Sequence, residues 1–277
     1  MKNVVVTPEE YKQVLLGLLE RIHKVCIENN IRYTIAYGTL LGAVRHGGFI
    51  PWDDDIDICM PREEYARFAE AFPSVDGRYY LLDSRSSKNY SFSLYRACDN
   101  SIKMESVATE NIENFGAFID IFLQDRWPED TEERRKYHLE YKAAQRRVKY
   151  AQPWSAFRTA PLKKKLAICA HIKDRIVNHL IVGLDKRIAE REQLLTRYRD
   201  EETGWRNIAS RISKWYMREE DLDNRILITF EGLEVYAPKN YDDLLKQHYG
   251  DYMKLPPEEK RVKVHNYTPY WREKAGL

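Results

Sequence analysis

The sequence predicts an α/β (α+β) fold, in which a mixed sheet carries helices on its faces and a largely helical second half follows. Strand-like apolar segments alternate with helix-start signals up to residue 123. Beyond it, 132–150 and 162–199 are rich in Lys, Arg, Glu and Leu with helical spacing and contain almost no glycine. The chain of 277 residues is long enough to bury a sizeable core.

The first predicted element is an amphipathic helix. It begins at Thr7-Pro8-Glu9-Glu10, which combines an N-cap threonine, a proline at the first helical position and a glutamate three residues after the cap. Apolar residues then recur at helical spacing and form its apolar stripe, namely Val14, Leu15, Leu18, Leu19, Ile22 and Val25.

A strand over 33–37 is predicted next, and Gly38-Thr39 ends it before a short helix over 40–45. A helix start presents free backbone N–H groups and favours an anion. Gly38 allows close approach of a ligand, and Thr39 can offer a hydroxyl. The turn is therefore a candidate phosphate-binding site, although by itself it is a weak signal.

Two carboxylates follow on the next predicted strand. Asp55 and Asp57 alternate with Ile56 and Ile58, so both acids project to one face while the isoleucines face the core. Neighbouring carboxylates repel each other, and bound Mg²⁺ or Mn²⁺ would stabilise the ionised pair. The pattern indicates a metal site, with a turn or capping cluster of acids as the alternative.

A third acid, Asp120, lies inside the apolar run 117–123, which predicts a buried strand. An unpaired buried carboxylate costs on the order of several kcal/mol, so Asp120 requires a partner. We expect that partner to be a metal ion shared with Asp55 and Asp57. A buried structural acid is the alternative.

Five further residues are candidates for binding substrate. Asp53 and Asp54 could contact substrate or only orient their loop. Arg45 and Arg96 could pair with phosphate oxygens or only neutralise the acids. Trp52 offers an aromatic face that could hold a quaternary ammonium by cation–π attraction, with ordinary packing as the alternative.

The glycine turn, the acid pair and the distant acid together resemble the signature of the nucleotidyltransferase fold. The stretch 37–58, YGTLLGAVRHGGFIPWDDDIDI, is similar to the signature of the LicD family of phosphotransferases, which includes bacterial phosphocholine transferases and fukutin-type phosphoribitol transferases. Further segments fit the same family at 95–100, 118–123, 249–252 and 255–257. The resemblance runs from about residue 33 to the C terminus and is weakest over 127–234.

The resemblance implies metal-dependent transfer of phosphocholine from CDP-choline to a hydroxyl of a cell-surface glycan, a teichoic acid or lipid-linked precursor, with release of CMP. Asp55, Asp57 and Asp120 would hold two Mg²⁺ or Mn²⁺ ions against the pyrophosphate, and Asp120 could help to activate the hydroxyl. CDP-ribitol or CDP-glycerol would present the same pyrophosphate. A nucleotidyltransferase would use the same acids on a nucleoside triphosphate, and a non-catalytic protein on this fold would have little reason to keep them.

We expect three regions. Residues 1–127 form the nucleotidyltransferase-like catalytic core, and Pro61 begins a second helix within it. Residues 128–235 form a mainly helical region that could face the acceptor or a membrane. Residues 236–277 form a C-terminal family segment that packs on the core.

Composition favours a cytoplasmic enzyme. A net charge of only +2 provides no field that would draw the chain to nucleic acid. Neither a signal peptide nor an apolar run long enough to span a bilayer is present. The cysteines are widely scattered, which favours reduced, buried thiols, at Cys26, Cys59, Cys98 and Cys169.

One helical segment, 162–188, combines an apolar stripe with seven basic residues on other faces. Such a helix could lie on an anionic membrane surface at the inner face of the cell membrane. The alternative is a helix that packs on the catalytic core and leaves a solvated outer face.

Overall fold

A computed structural model of the chain describes residues 4–83, 94–105, 115–152, 171–208, 215–263 and 267–272. Within these residues it confirms the predicted fold class, because a mixed sheet of seven strands carries helices on its faces and helices dominate 131–195. Two smaller antiparallel pairs of strands accompany this sheet.

The strands, in chain order, are β1 (Thr34–Ile35), β2 (Asp57–Pro61), β3 (Tyr79–Leu82), β4 (Tyr95–Asp99), β5 (Ile102–Glu105), β6 (Ala117–Arg126), β7 (Trp205–Asn207), β8 (Tyr216–Arg218), β9 (Ile226–Phe230), β10 (Leu233–Ala237) and β11 (Thr268–Trp271). The central sheet has the order β1-β2-β6-β4-β3, and β7 and β8 extend it from the end of β6. The strands β2 and β6 are parallel, and the pairs β1–β2, β4–β6 and β3–β4 are antiparallel. The smaller pairs are β9 with β10 and β5 with β11.

The helices are α1 (Pro8–Glu28), α2 (Tyr37–His46), α3 (Arg62–Ala71), α4 (Thr131–Ala151), α5 (Ile172–Arg175), α6 (Leu184–Leu195), α7 (Glu219–Asp223) and α8 (Tyr241–Tyr249). A π-helical segment, Ile176–Val182, continues α5 directly. The predicted start of α1 is confirmed, because Thr7 accepts from the N–H of Glu10 and the Glu10 carboxylate accepts from the N–H of Thr7.

The main core lies between α1 and the sheet, and the predicted stripe of α1 supplies part of it. Leu15, Leu18, Leu19 and Ile22 are fully buried, and Val14 packs at the edge of this core. A second, smaller cluster joins α4 to α6 and consists of Tyr137, Tyr141, Ala144, Leu194, Leu195 and Tyr198.

Two predicted elements differ from the structure. The strand expected over 33–37 is only two residues long. The chain turns into α2 at Tyr37, whose φ of 44° lies outside the extended region that a strand requires. The helix expected over 162–188 is not continuous, since Gly183 at φ 89° separates the π-helical segment from α6. Residues 153–170 lie outside the described residues.

Three of the predicted buried thiols are observed. Cys26, Cys59 and Cys98 are free and buried, and Cys169 lies outside the described residues. Among the helices that the structure describes, none is both long enough and apolar enough to cross a membrane.

Candidate active site

Asp57 and Asp120 occupy neighbouring positions in the central sheet. Asp57 begins β2 and is the register partner of Asp120 in the parallel strand β6. Both residues are largely buried, with exposed fractions of 7% and 8%. Asp55 precedes the strand instead of lying within it, while Ile56 and Ile58 are fully buried as the alternation predicts. The strand pairing therefore brings the two distant acids together.

Arg96 is the partner that the structure gives to Asp120. The two are register partners across the antiparallel pair of β4 and β6, and Arg96 Nε donates to Asp120 Oδ1 at 2.7 Å. The guanidinium lies over the rings of Phe118 and Phe115, at 4.2 and 5.2 Å from their centroids. Where the sequence predicts a shared metal as the partner of Asp120, the structure places a buried arginine, so protein charge already balances this carboxylate.

Thr39 connects the first turn of α2 to the strand that begins at Asp57. Its Oγ1 accepts from the backbone N–H of Asp57 at 2.8 Å, and the residue is only 4% exposed. The hydroxyl predicted to meet a phosphate thus has one lone pair engaged by β2, and its proton is the group that it could donate to a phosphate oxygen. Gly38 and Thr39 lie in the first turn of α2, where backbone N–H groups have no acceptor within the helix.

Gly38 allows the side chain of Asp53 to approach α2 closely. A Cβ at Gly38 would lie 2.8 Å from Oδ2 of Asp53, so the missing side chain makes room for that carboxylate. Asp53 also donates from its N–H to the carbonyl of Ile50 at 2.8 Å, and its Oδ1 accepts from the N–H of Asp54 at 3.2 Å. Asp53 therefore orders the loop 47–55, which we call the acidic loop, against the positive end of α2.

Glu231, in the turn between β9 and β10, anchors the glycine-rich loop that follows α2. Its N–H donates to the carbonyl of Gly47 at 2.9 Å, and its Oε1 accepts from the N–H of Phe49 at 3.0 Å. A Cβ at Gly48 would lie 2.2 Å from that same oxygen, so glycine is needed for the contact. The sequence analysis missed Glu231. A hairpin turn at Glu231-Gly232 is a readable signal, but the place where it docks is not.

The C-terminal segment contacts three of the predicted binding residues. Arg45 Nη1 donates to the carbonyl of Tyr252 at 2.7 Å, so this guanidinium is engaged away from the acids of the sheet. The sequence analysis also missed Lys263, whose Nζ pairs with Asp54 Oδ2 at 2.8 Å. The guanidinium of Arg261 lies over the ring of Trp52, at 5.7 Å from its centroid. These contacts favour loop orientation for Asp54 and packing for Trp52.

A narrow cleft opens beside the acids. Tyr11 of α1 lines it together with Asp54, Asp55 and Lys263. Burial is the largest cause of a raised Tyr11 pKa, and the charges of Asp54, Asp55 and Asp120 raise it further. Tyr11 is therefore a neutral phenol that can donate a hydrogen bond near these acids. No sequence signal marks it, because a tyrosine near the start of a helix has many ordinary roles.

The aromatic rings that pack at the start of α2 are buried. Tyr37 lies 4.4 Å from Trp215 and 5.4 Å from His248, measured between ring centroids, and Tyr37 and Trp215 are 2% and 1% exposed. These two rings therefore belong to the core and do not present an open aromatic face to a ligand.

The acids suit a divalent cation in chemical type and partly in position. Asp57 and Asp120 present two carboxylates from register-paired positions, which matches the one or two protein carboxylates that Mg²⁺ uses when substrate phosphates supply other ligands. Within the described part of the chain, however, no three Asp, Glu, His or Cys side chains converge closely enough to form a metal site alone. The arrangement therefore fits a cation that is bound together with a phosphate-bearing substrate.

Comparisons with known proteins agree with this geometry. Residues 30–163 match the family model described as the LicD/FKTN/FKRP nucleotidyltransferase domain. The chain is 29% identical over 272 residues to the lipopolysaccharide cholinephosphotransferase LicD of Haemophilus influenzae. The aligned region covers 95% of this chain and 98% of that protein. It is 45% identical over 79 residues to the human ribitol 5-phosphate transferase FKRP, covering 27% of this chain and 14% of that protein. An uncharacterised Rickettsia prowazekii protein is 31% identical over 42% of this chain and 40% of that protein.

These comparisons identify a phosphotransferase that contains a nucleotidyltransferase domain, and the mixed sheet is consistent with that domain. Residues 30–163 belong to the LicD family, and the chain has a homologue among the cholinephosphotransferases over nearly its whole length.

Proposed function

We propose that this phosphotransferase moves phosphocholine from CDP-choline to a hydroxyl of a cell-surface glycan and releases CMP. One observation carries the catalytic part of the proposal: the hydrogen bond from the Asp57 N–H to Thr39 Oγ1 joins the acid strand to the phosphate-binding turn. A pyrophosphate at the start of α2 would therefore meet Asp57 and Asp120 at a fixed distance. The choice of choline rests on the near full-length similarity to a lipopolysaccharide cholinephosphotransferase.

Asp55, Asp57 and Asp120 are the residues that would hold Mg²⁺ or Mn²⁺. The ion, when bound, would neutralise charge on the pyrophosphate and polarise it for in-line attack. We propose two ions, one of which would use Asp120 beside its ion pair with Arg96. The acids themselves fix where positive charge is favourable, and so determine where a cation-bound pyrophosphate would lie.

Asp120 is also our candidate for accepting the proton of the attacking hydroxyl. Arg96 Nε engages its Oδ1, which fixes the carboxylate in one orientation and directs Oδ2 as the basic oxygen. Gly38 and Thr39, through the backbone of the first turn of α2, would hold phosphate oxygens. Asp53, Asp54 and Trp52 would shape the loop over the substrate, and Arg45 would hold the C-terminal segment in place.

Transfer of phosphoribitol or phosphoglycerol from a CDP-polyol is the second candidate. It is favoured by the 45% identity with a ribitol 5-phosphate transferase over 79 residues. The acids recognise only the pyrophosphate, so they do not distinguish the two donors. We place the acceptor, a teichoic acid or a lipid-linked or lipopolysaccharide glycan, at the inner face of the cell membrane, with the enzyme on its cytoplasmic side.

A donor screen tests this proposal. The purified protein is incubated with Mg²⁺ or Mn²⁺ and CDP-choline, CDP-ribitol, CDP-glycerol or CTP, while CMP and pyrophosphate are measured together with the melting temperature. Metal-dependent stabilisation and CMP release with CDP-choline would support phosphocholine transfer, whereas selectivity for a CDP-polyol would support the second candidate. Pyrophosphate release from CTP would refute both and indicate a nucleotidyltransferase.

Two variants add a control to the screen. Asp57→Asn should abolish CMP release without unfolding the protein, because the amide is isosteric but is a poor ligand for a cation. Asp200→Asn should retain full activity, since the Asp200 side chain is 90% exposed. Full activity of Asp57→Asn, together with insensitivity to EDTA, would contradict the metal-dependent mechanism.

A further inference from the structure

The segment from Ile172 to Val182 is amphipathic, but it exposes its apolar side and buries its polar side, which is the reverse of an ordinary packed helix. Its large apolar residues are exposed, with fractions of 71% for Leu180 and 73% for Ile181 and 42–44% for Ile172, Ile176 and Val177. Its polar residues Arg175 and Asn178 are instead buried, at 7% and 5%. A helix on a water-facing surface places its apolar residues inward, so this pattern requires another explanation.

The outward apolar face, which we define as Ile172, Ile176, Val177, Leu180 and Ile181, is held in place by hydrogen bonds on the opposite side. Arg175 Nη2 donates to the carbonyl of Gln152 at 3.2 Å, and His179 Nδ1 lies 2.7 Å from the carbonyl of Ala151. Both carbonyls belong to the C-terminal end of α4, where a cation is favoured by the helix dipole. The segment is thus fixed to α4 through its polar side, and its apolar side is presented outward.

Basic side chains are exposed on the segment and on the two helices that it contacts, α4 and α6. The last turns of α4 carry four exposed cations and no acid between residues 141 and 152, namely Lys142, Arg146, Arg147 and Lys149. Two further exposed lysines are Lys173 on the segment and Lys186 on α6. They are offset in charge by two exposed acids, Asp174 and Asp185. The local charge is therefore clearly positive, whereas the whole chain carries only +2.

We infer that the outward apolar face docks on an anionic lipid bilayer, with its aliphatic side chains inserted at the headgroup level and the lysines and arginines over anionic headgroups. Apolar residues combined with excess positive charge are the features that such surfaces recognise. A second copy of the chain fits less well, because a symmetric contact would bring these cations against one another. The contact that we infer is peripheral.

Vesicle co-sedimentation of the full chain tests this inference without any assay of transfer. The probes are phosphatidylcholine vesicles with and without phosphatidylglycerol, at low and high salt. Leu180→Ser combined with Ile181→Ser removes the two most exposed aliphatic residues. Leu139→Ser is the matched control, since Leu139 is 49% exposed on α4 outside the outward apolar face. Melting temperatures verify that the variants remain folded, as expected for exposed positions.

We expect binding to the anionic vesicles that high salt weakens, and a loss of about tenfold or more in the partition coefficient of the double variant. The Leu139→Ser variant should bind as the unmodified chain does. Absence of binding to anionic vesicles, or equal binding by the double variant, would overturn the inference. A dimer in sedimentation velocity that the double variant converts to monomers, without vesicle binding, would overturn it in favour of a contact between copies.

Discussion

Replacing Arg96 with methionine should destabilise the protein strongly when no divalent cation is present. The Arg96 and Asp120 side chains are 6% and 11% exposed and are joined at 2.7 Å, so the variant leaves a buried carboxylate without its cation. Loss of one partner of a buried pair costs about 3–5 kcal/mol. At the usual unfolding entropy per residue, this lowers the melting midpoint of a chain this size by roughly 5–9 °C. Methionine preserves the length and the packing against Phe118, so the effect reports charge.

The assay is thermal unfolding of Arg96→Met with and without Mg²⁺, measured beside Lys103→Met. Lys103 pairs with Glu105 on β5, but both side chains are about half exposed, so that variant should change stability by about 1 kcal/mol or less. If a cation can use Asp120, Mg²⁺ should stabilise Arg96→Met more than the unmodified protein, because the ion replaces the missing positive charge. The reasoning is refuted if Arg96→Met unfolds at the same temperature as Lys103→Met.

Two further predictions concern the framework of the site, and a third concerns the ion pair between Glu219 of α7 and Arg206 of β7. Thr39→Val should cost about 1–3 kcal/mol, because it removes the acceptor of the Asp57 N–H, and Thr39→Ser should restore most of this stability in the same melting experiment. Glu231→Ala should lower donor-dependent CMP release by releasing the Phe49 N–H, whereas Glu234→Ala, at an exposed position of β10, should leave it unchanged; equal rates would show that the loop anchor is dispensable. Burial alone would raise the pKa of Glu219, but the hydrogen bonds and charges of Arg206 and Arg32 together outweigh burial and hold that pKa below 4.5. This glutamate therefore adds stability above pH 4.5 that is lost as the pH falls below it, and Glu219→Gln should flatten the pH dependence of the free energy of unfolding in urea in that acidic window; an unchanged slope would contradict the role of these two arginines.

Local signals in the sequence predicted the elements that depend on nearby residues. The capping box at Thr7 and Glu10 is decided within one helical turn, and the alternation of Asp57 with buried isoleucines is decided within one strand. The presence of a third acid on a buried strand was equally readable at Asp120. These features follow from short-range periodicity and from the cost of burying charge, so a single sequence contains them.

The sequence could not predict contacts set by strand order and register. Arg96 was one of several arginines that could have neutralised an acid, and only the placement of β4 beside β6 makes it the partner of Asp120. The break at Gly183 was hidden by an otherwise regular helical pattern, because one glycine within such a pattern is often tolerated. The burial of Arg175 and the exposure of Leu180 were hidden for a related reason, since periodicity gives a stripe but not the direction in which it faces.

The conformation of the acidic loop depends on contacts with residues outside the family motif. Residues 47–55 carry the glycines and acids that identify the family, yet their contacts to the rest of the chain come from far along the sequence. Glu231 holds the N–H of Phe49 across 182 positions, and Lys263 pairs with Asp54 from the C-terminal segment. Both lie beyond residue 163, where the family match ends. Because a loop rich in glycine and like charges loses much entropy when it is ordered, these distant contacts stabilise the conformation that the acids require. The geometry of the acid pair therefore depends on residues far along the chain, even though the acids themselves lie within a short stretch of the sequence.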